Sequence, residues 1–264
     1  MTAENDDFSA DATKLNLSDW REWAADLEVD SLFVTISGAH IYGFASPDSD
    51  VDLRGAHRLP LESVIGLENP KETVDFDGVH RGLEVDLVSH DIGKYLGLLV
   101  KNNGYILEQV FSPLIVSGHD FLDELRPLAK NCITKNHFYH YRGFFATQKK
   151  LILKQQPVTA KAVLYAYRVL CTGIHLLRTG EVVTDLNRLA DEMGLSFVSE
   201  LVAAKVTEKV AFGFDINEHL TKLDDLEGKL ESEFESSSLR EKPDRKAVNE
   251  LLVQVRLTNR SLQT

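Results

Sequence analysis

Two periods of apolar residues divide the chain. Asp19 to about Leu27 has helical spacing, with Ser18 placed as its N-cap and Trp20, Trp23 and Leu27 on one face. Ser31 to Ser37 (SLFVTIS) is β-branched and aromatic and ends at Gly38, which predicts a strand. Gly38 to Ser49 reads as a tight connection closed by Pro47-Asp48-Ser49 turn chemistry, and Asp50 to His57 as a second strand. Two more strands are expected over Glu72 to Asp77 and Gly82 to Ser89, with Asp77-Gly78 as the hairpin signal between them. From Asp91 the period turns helical, and Ile92, Tyr95, Leu96, Leu99 and Val100 form one stripe. Beyond Phe121 the pattern is helical throughout, with helices expected over 121–129, 136–154, 160–178, 185–193, 198–211, 216–235 and 244–258. Ser236-Ser237-Ser238 with Pro243 marks the loop before the last of them. There is no internal repeat. The expected organisation is a loose acidic tail (1–17), a mixed α/β unit (18–125) and an all-helical unit (126–264).

Composition narrows the class. Of 264 residues, 43% are hydrophobic and 27% charged, enough to build a core and unlike a disordered chain. The 29 bases and 41 acids give a net charge of −12, which argues against a non-specific duplex binder. Cys132 and Cys171 are too few for a disulfide framework or a four-cysteine zinc site, and their apolar surroundings make them small buried hydrophobes. Nine acids and two bases in the first thirty residues are the reverse of a targeting peptide. No apolar run approaches the ~20 residues a bilayer requires, so a cytoplasmic protein without a membrane partner is expected.

The charge is unevenly distributed. Between Leu125 and Gly180 there are ten bases and no acid, which leaves 19 bases and 41 acids for the rest of the chain. Such a segment suits a phosphate-rich partner. Lys161, Tyr165 and Arg168 fall at i, i+4 and i+7 on one helix face. They are either a nucleotide-contacting set, with Lys161 and Arg168 on phosphates and Tyr165 near base or sugar, or a solvated face with Tyr165 in the core. His137 to Phe145, followed by Lys149, Lys150 and Lys154, interleaves aromatics with bases. That pattern fits the buried stripe of an amphipathic helix first and a single-stranded nucleic-acid surface second. His137 and His140 lack further ligands for zinc. His40 and His57 are candidates for polar contacts rather than metal ligands.

The chemistry concentrates in Ser37-Gly38-Ala39-His40-Ile41-Tyr42-Gly43 and in Ser49-Asp50-Val51-Asp52-Leu53-Arg54-Gly55. On a strand, side chains two apart face the same side, roughly 6.6 Å apart along the chain. Asp50 and Asp52 can therefore share one or two hard divalent cations such as Mg²⁺, which combines one or two carboxylates with substrate phosphates. Two such ions about 3.5–4 Å apart can assist both the attacking and the leaving oxygen of an in-line displacement. Glu84-Val85-Asp86 supplies further acids on a neighbouring strand.

Gly38-Ala39, ten intervening residues, Asp50-x-Asp52 and a later strand acid resemble the polymerase-β nucleotidyltransferase superfamily. Within it, the front motif is similar to that of the RNA-repair-pathway polymerase-β family. Weaker matches lie at Val85 to Ser89, Lys101 to Glu108 and the helix Lys161 to Arg168. The resemblance spans about residues 31–260. It implies an α+β fold, a small mixed sheet with flanking helices followed by an all-helical C-terminal domain. It also implies transfer of a nucleoside monophosphate from an NTP, ATP among them, with Mg²⁺ (two ions, or Mn²⁺) and release of pyrophosphate. Carried onto this chain, Asp50, Asp52 and Asp86 are the catalytic carboxylates and metal ligands, Asp86 being the one that activates the acceptor, with Glu84 as the reserve ligand. The nucleotide-binding set is Ser37, Gly38, Ala39, Tyr42, Ser49, Lys161, Tyr165 and Arg168. Where the superfamily usually has Gly-Ser at the turn, this chain has Gly38-Ala39, so Ser37 or backbone N–H groups at a helix start take the hydroxyl's place. The expected acceptor is an RNA 3′ end reached along basic segment 126–178. A protein hydroxyl or small molecule, or a non-catalytic nucleotide- or RNA-binding module, are the alternatives.

Overall fold

The computed structural model describes residues 15–26, 28–155, 157–207 and 215–258. Helix α1 (Leu17–Ala25) is capped by Asn16 rather than Ser18: the Asn16 side chain accepts the Ser18 N–H at 3.2 Å. An asparagine two residues earlier satisfies the first-turn donors, so the helix starts sooner than its apolar stripe indicates. Trp20 and Ala24 are buried and Trp23 half-buried, whereas Leu27 and residues 1–14 of the expected tail lie outside the described residues.

Five strands form one sheet: β1 (Ser31–Ile36), β2 (Val51–His57), β3 (Thr73–His80), β4 (Leu83–Asp91) and β5 (Ile115–Ser117), in the order β3-β4-β2-β1-β5. The β2–β4 pair is parallel and the others antiparallel. The β3–β4 turn falls at Arg81-Gly82, not at Asp77-Gly78, which pair within the ladder with Asp86 and Val85. Arg81 (φ 51°) and Gly82 (φ 84°) are both left-handed, as a two-residue type I′ turn needs.

Short helices α2 (Ala39–Tyr42) and α3 (Leu61–Ile65) lie in the first half. Helix α4 (Ile92–Leu99) is capped by Asp91 and α5 (Gly104–Val110) by Asn103. The apolar pattern does not announce α2, α3, α5 or β5. The helical half follows as α6 (His119–Lys130), α7 (His137–Lys154), α8 (Ala160–Thr179), α9 (Leu186–Met193), α10 (Val198–Val206), α11 (Ile216–Ser236) and α12 (Arg245–Leu257). Helix α10 ends at Val206, and positions 208–211 of its expected continuation lie outside the described residues.

The sheet buries both faces. Val34, Ile36, Val51, Leu53, Val85 and Leu87 pack under Trp20 and Ala24 of α1. The other face carries Phe33 and Ala56 into a core that continues through α4, α5 and α6 into α7, α8 and α11. Within that core Phe138, Tyr141 and Phe145 are buried, and so are Cys132 and Cys171, whose thiols burial pushes up to about 11 and about 12. Helix α12 returns to the sheet, where Arg256 pairs with Asp91, the cap of α4.

Much of the basic segment turns inward. Arg142, Lys149 and Arg178 pair with Glu231, Asp224 and Glu233 of α11, and Lys135 pairs with Glu241. Arg126 donates to the carbonyls of Val110 and Ser112. Three bases of the stretch thus complement the acidic helix packed against it.

Arg168 lies deepest. Its Nη1 donates to Glu108 Oε1 at 2.7 Å, with both side chains 1–2% exposed, and Tyr42 O–H donates to Glu108 Oε2 at 3.1 Å. The guanidinium carbon sits 4.1 Å from the Tyr42 ring centroid. Burial pushes the Glu108 carboxyl up, and Arg168 pulls it back; at this distance the pair stays ionised. Removing one partner leaves an uncompensated buried charge, so Arg168→Met is expected to cost about 3–5 kcal/mol in denaturant unfolding. The double variant Glu108→Leu/Arg168→Met is expected to recover much of that loss.

Burial holds His137 and His140 down to about 4, against an ordinary value of 6.5. Below pH 6.5 the unfolded chain therefore takes up protons that the fold refuses. Their contribution is complete above pH 6.5 and is lost as pH falls toward 4, at up to about 1.4 kcal/mol per pH unit for each group. Urea titrations between pH 7 and 4 are expected to show this slope, and His137→Asn is expected to flatten it.

Candidate active site

The parallel pairing of β2 with β4 sets Asp52 directly beside Asp86. Asp50 and Asp52 line a cleft of about 560 Å³, with Asp50 just ahead of β2. Its main chain is fixed from below, because the buried His40 ring contacts the Asp50 carbonyl through Nε2 at 3.1 Å. Burial lowers the pKa of His40.

Gly38 makes this approach possible. The Ser37 N–H donates to the Asp52 carbonyl at 2.8 Å, and the chain then turns at Gly38 with φ 68° and ψ −149°. That region is open essentially to glycine alone. A Cβ on Gly38 would also lie 1.9 Å from Asp52 Oδ2. The glycine thus permits the turn and clears space for the carboxylate.

Arg54, two residues beyond Asp52 and on the same strand face, is the principal residue that reading the motif left without a role. Its Nη2 donates to Asp52 Oδ1 at 2.8 Å and to Asp86 Oδ2 at 2.7 Å. Its Nη1 donates to the Leu53 and Asp86 carbonyls at 2.8 and 2.7 Å. Burial raises the pKa of Asp52, with Arg54 opposing that shift and the Asp86 and Asp50 charges adding to it.

The helical half supplies the other wall. Lys161 and Tyr165 of α8 and Lys205 of α10 line the cleft with Ala39 and Ser49. Lys205 Nζ donates to Ser46 Oγ at 2.7 Å and Ser49 Oγ at 2.9 Å, which ties α10 to the loop before Asp50. Lys205 is more than 150 residues from those serines, and no local signal announces it. Arg54 is different: the alternation of positions 50, 52 and 54 is a local signal that would have placed it on the face of the acids. Tyr165 packs edge-on against Tyr42 and Phe44, so it is at once part of the core and part of the wall.

Other expected residues lie elsewhere. Arg168 shares the helix face of Lys161 and Tyr165 but is buried in the pair with Glu108 and does not line the cleft. Tyr42 is the hydroxyl partner of that same pair. Ser37 is buried behind the turn, and Glu84 is exposed opposite Val79. Asp86 adjoins Asp52 but is held by Arg54 and does not line the cleft.

Among the described residues, no three His, Cys, Asp or Glu side chains already converge as a metal cage. Asp50 and Asp52 nevertheless fit a hard cation of the Mg²⁺ type, which takes one or two carboxylates and draws its other ligands from phosphate and water.

A family model described as "RNA repair pathway DNA polymerase beta family" matches residues 14–254, and the chain belongs to that nucleotidyltransferase family. The "Uncharacterized protein MJ0002" of Methanocaldococcus jannaschii is 34% identical over 182 residues, covering 67% of this chain and 74% of that protein. A solved nucleotidyltransferase-like protein from Exiguobacterium sibiricum 255-15 is 14% identical, with a TM-score of 0.29 over 89% of this chain and 76% of that one. At that score the likeness carries no argument. No helix among the described residues is long and apolar enough to cross a membrane.

Gly38→Ala is expected to destabilise the protein by about 1–3 kcal/mol through the strained φ alone. It is also expected to weaken Mn²⁺ binding by displacing Asp52. Calorimetric titration of the folded variant checks the second effect.

Proposed function

We propose that the protein is a Mg²⁺-dependent nucleotidyltransferase that moves an NMP from an NTP to an RNA 3′ end. The observation that carries this reading is one cleft bearing Asp50 and Asp52 from the sheet and Lys161 and Lys205 from the helices. An NTP needs both: carboxylates for its cations and ammonium groups for its phosphates. Mg²⁺ (two ions, or Mn²⁺) held by Asp50 and Asp52 supplies charge stabilisation at the phosphates.

In this reading Lys161 and Lys205 bind the β- and γ-phosphates, and Tyr165 offers its ring to the sugar or base. The acceptor oxygen attacks the α-phosphorus in line; the new O–P bond forms as the bond to the β-phosphate oxygen breaks, and pyrophosphate leaves. Asp86, once released from Arg54, orients the acceptor hydroxyl and takes its proton. The ammonium groups stabilise charge building on the leaving oxygens without rearranging, which is where preorganised electrostatics act.

The acceptor path is narrower than the base-only segment. Lys150 and Lys154 are exposed, one turn apart on α7, and lead to Gln155 at the rim of the cleft and Lys161 within it. A short lysine track fits a single-stranded 3′ end better than a duplex, whose approach the overall charge of −12 opposes.

Incubation with Mg²⁺ and each labelled NTP over RNA, protein and small-molecule acceptors tests the reading. The expected outcome is label at an RNA 3′ end, lost by at least about 10²-fold in Asp50→Ala and Asp52→Ala. Lys161→Ala and Lys205→Ala are expected to raise KM for the NTP. Lys150→Ala/Lys154→Ala is expected to raise KM for RNA alone and to reduce its salt dependence. Label on a protein or small molecule instead would replace the acceptor. No transfer from any NTP, with Asp50→Ala and Asp52→Ala binding metal and nucleotide as the parent does, would reject catalysis.

A further inference from the structure

We propose that Arg54 is a built-in cation that shares Asp52 and Asp86 with the divalent ion and so sets the order of metal entry. In the nucleotide-free protein one ion binds at Asp50 and Asp52, and Asp86 becomes available only when the guanidinium gives way. The inference rests on the nucleotidyltransferase reading in taking these carboxylates as the metal's ligands.

The argument begins with the register. Asp52 and Asp86 are paired on neighbouring parallel strands, where like charges side by side repel. Arg54 neutralises them with one nitrogen, Nη2, which takes Asp52 Oδ1 and Asp86 Oδ2. The other terminal nitrogen is occupied with two backbone carbonyls, those of Leu53 and Asp86. The bonds therefore divide into an anchored half and an exchangeable half. Losing the carboxylates to a metal costs Arg54 only its Nη2 contacts, and the Nη1 contacts keep the side chain beside the site.

The oxygens divide in the same way. Asp52 Oδ1 is committed to Arg54, while Asp52 Oδ2 sits in the space that Gly38 leaves clear and takes no bond from the guanidinium. Asp50 lines the cleft alongside it. A first ion can use Asp50 and Asp52 Oδ2 without disturbing the guanidinium. Any ligation by Asp86 must compete with Nη2, and an incoming triphosphate supplies both an alternative anion for Arg54 and further metal ligands.

Mn²⁺ titration of the nucleotide-free protein, read as loss of the free-ion electron paramagnetic resonance signal, tests this without requiring turnover. The parent is expected to bind one ion per chain. Arg54→Gln is expected to bind two, with about tenfold tighter affinity, the scale Coulomb's law gives for removing a unit charge roughly 5 Å from a divalent ion in a water-like medium. Arg54→Lys, which keeps the charge and loses the fork, is expected to fall between them. Without metal, Arg54→Gln is expected to melt below the parent and to gain more from Mn²⁺ than the parent does. Mn²⁺ binding in Arg54→Gln equal to or weaker than in the parent would overturn the proposal. If that variant does not fold, Asp86→Asn decides: one ion per chain, weakened by no more than the roughly tenfold that losing a neighbouring charge causes, supports the order of entry, and a loss well beyond that overturns it. Asp50→Ala separates the two readings. If it binds Mn²⁺ as the parent does, the metal site itself fails; if it loses binding while Arg54→Gln matches the parent, only the role of Arg54 fails.

Discussion

An ion pair out of reach of water joins the two halves of this protein. Glu108 comes from α5, in the sheet-bearing half, and Arg168 from the middle of α8. Desolvating both groups is costly, and the structure offsets that cost with a short bond, a second donor from Tyr42 and aromatic faces against the guanidinium. Tyr42 lies on the turn that leads to the carboxylates, and Tyr165, which packs on Tyr42, forms part of the cleft wall. The placement of α8 beside the acids thus depends on a pair that lies outside the cleft.

The carboxylates pose a second problem of the same kind, solved at the surface. Three acids within two adjacent strands would repel one another, and burial makes the Asp52 charge still less favourable. Gly38 removes the steric obstacle and Arg54 the electrostatic one. The first solution is permanent; the second can be withdrawn, because only half of the guanidinium's bonds go to the acids.

Local periodicity predicted the long elements well. The strand at Ser31, the acid-bearing strand at Asp50 and all seven helices beyond Phe121 stand close to where alternation and the 3.6-residue repeat put them. Short elements were not legible: α2 and α5 occupy one or two turns, too few to establish a period, and depend on Gly38 and Asn103 at their starts. The hairpin turn moved because Arg81-Gly82 bears the left-handed backbone, whereas Asp77-Gly78 is drawn into the ladder opposite Val85 and Asp86. In the site, Asp50, Asp52, Lys161 and Tyr165 were readable from spacing. Arg168 shares the spacing of Lys161 but not its fate. Helical phase says which residues share a face, not that Glu108 waits under one end of it. Three bases of the run have partners that no local window shows, the acids of α11 far along the chain.

Lys205 reaches across to Ser46 and Ser49, while Thr184 and Asn187 of the same half donate to the carbonyls of Ile41 and Gly43. The connection that carries Asp50 is therefore gripped at both ends by residues from the other half of the molecule. In the proposed reading, the acids that carry chemistry and the groups that face a donor's base and phosphates belong to separate parts of the sequence. On that reading, substitutions in α8 and α10 would reshape donor choice while the strand acids stay fixed, a way for a lineage to change its nucleotide without rebuilding its reaction.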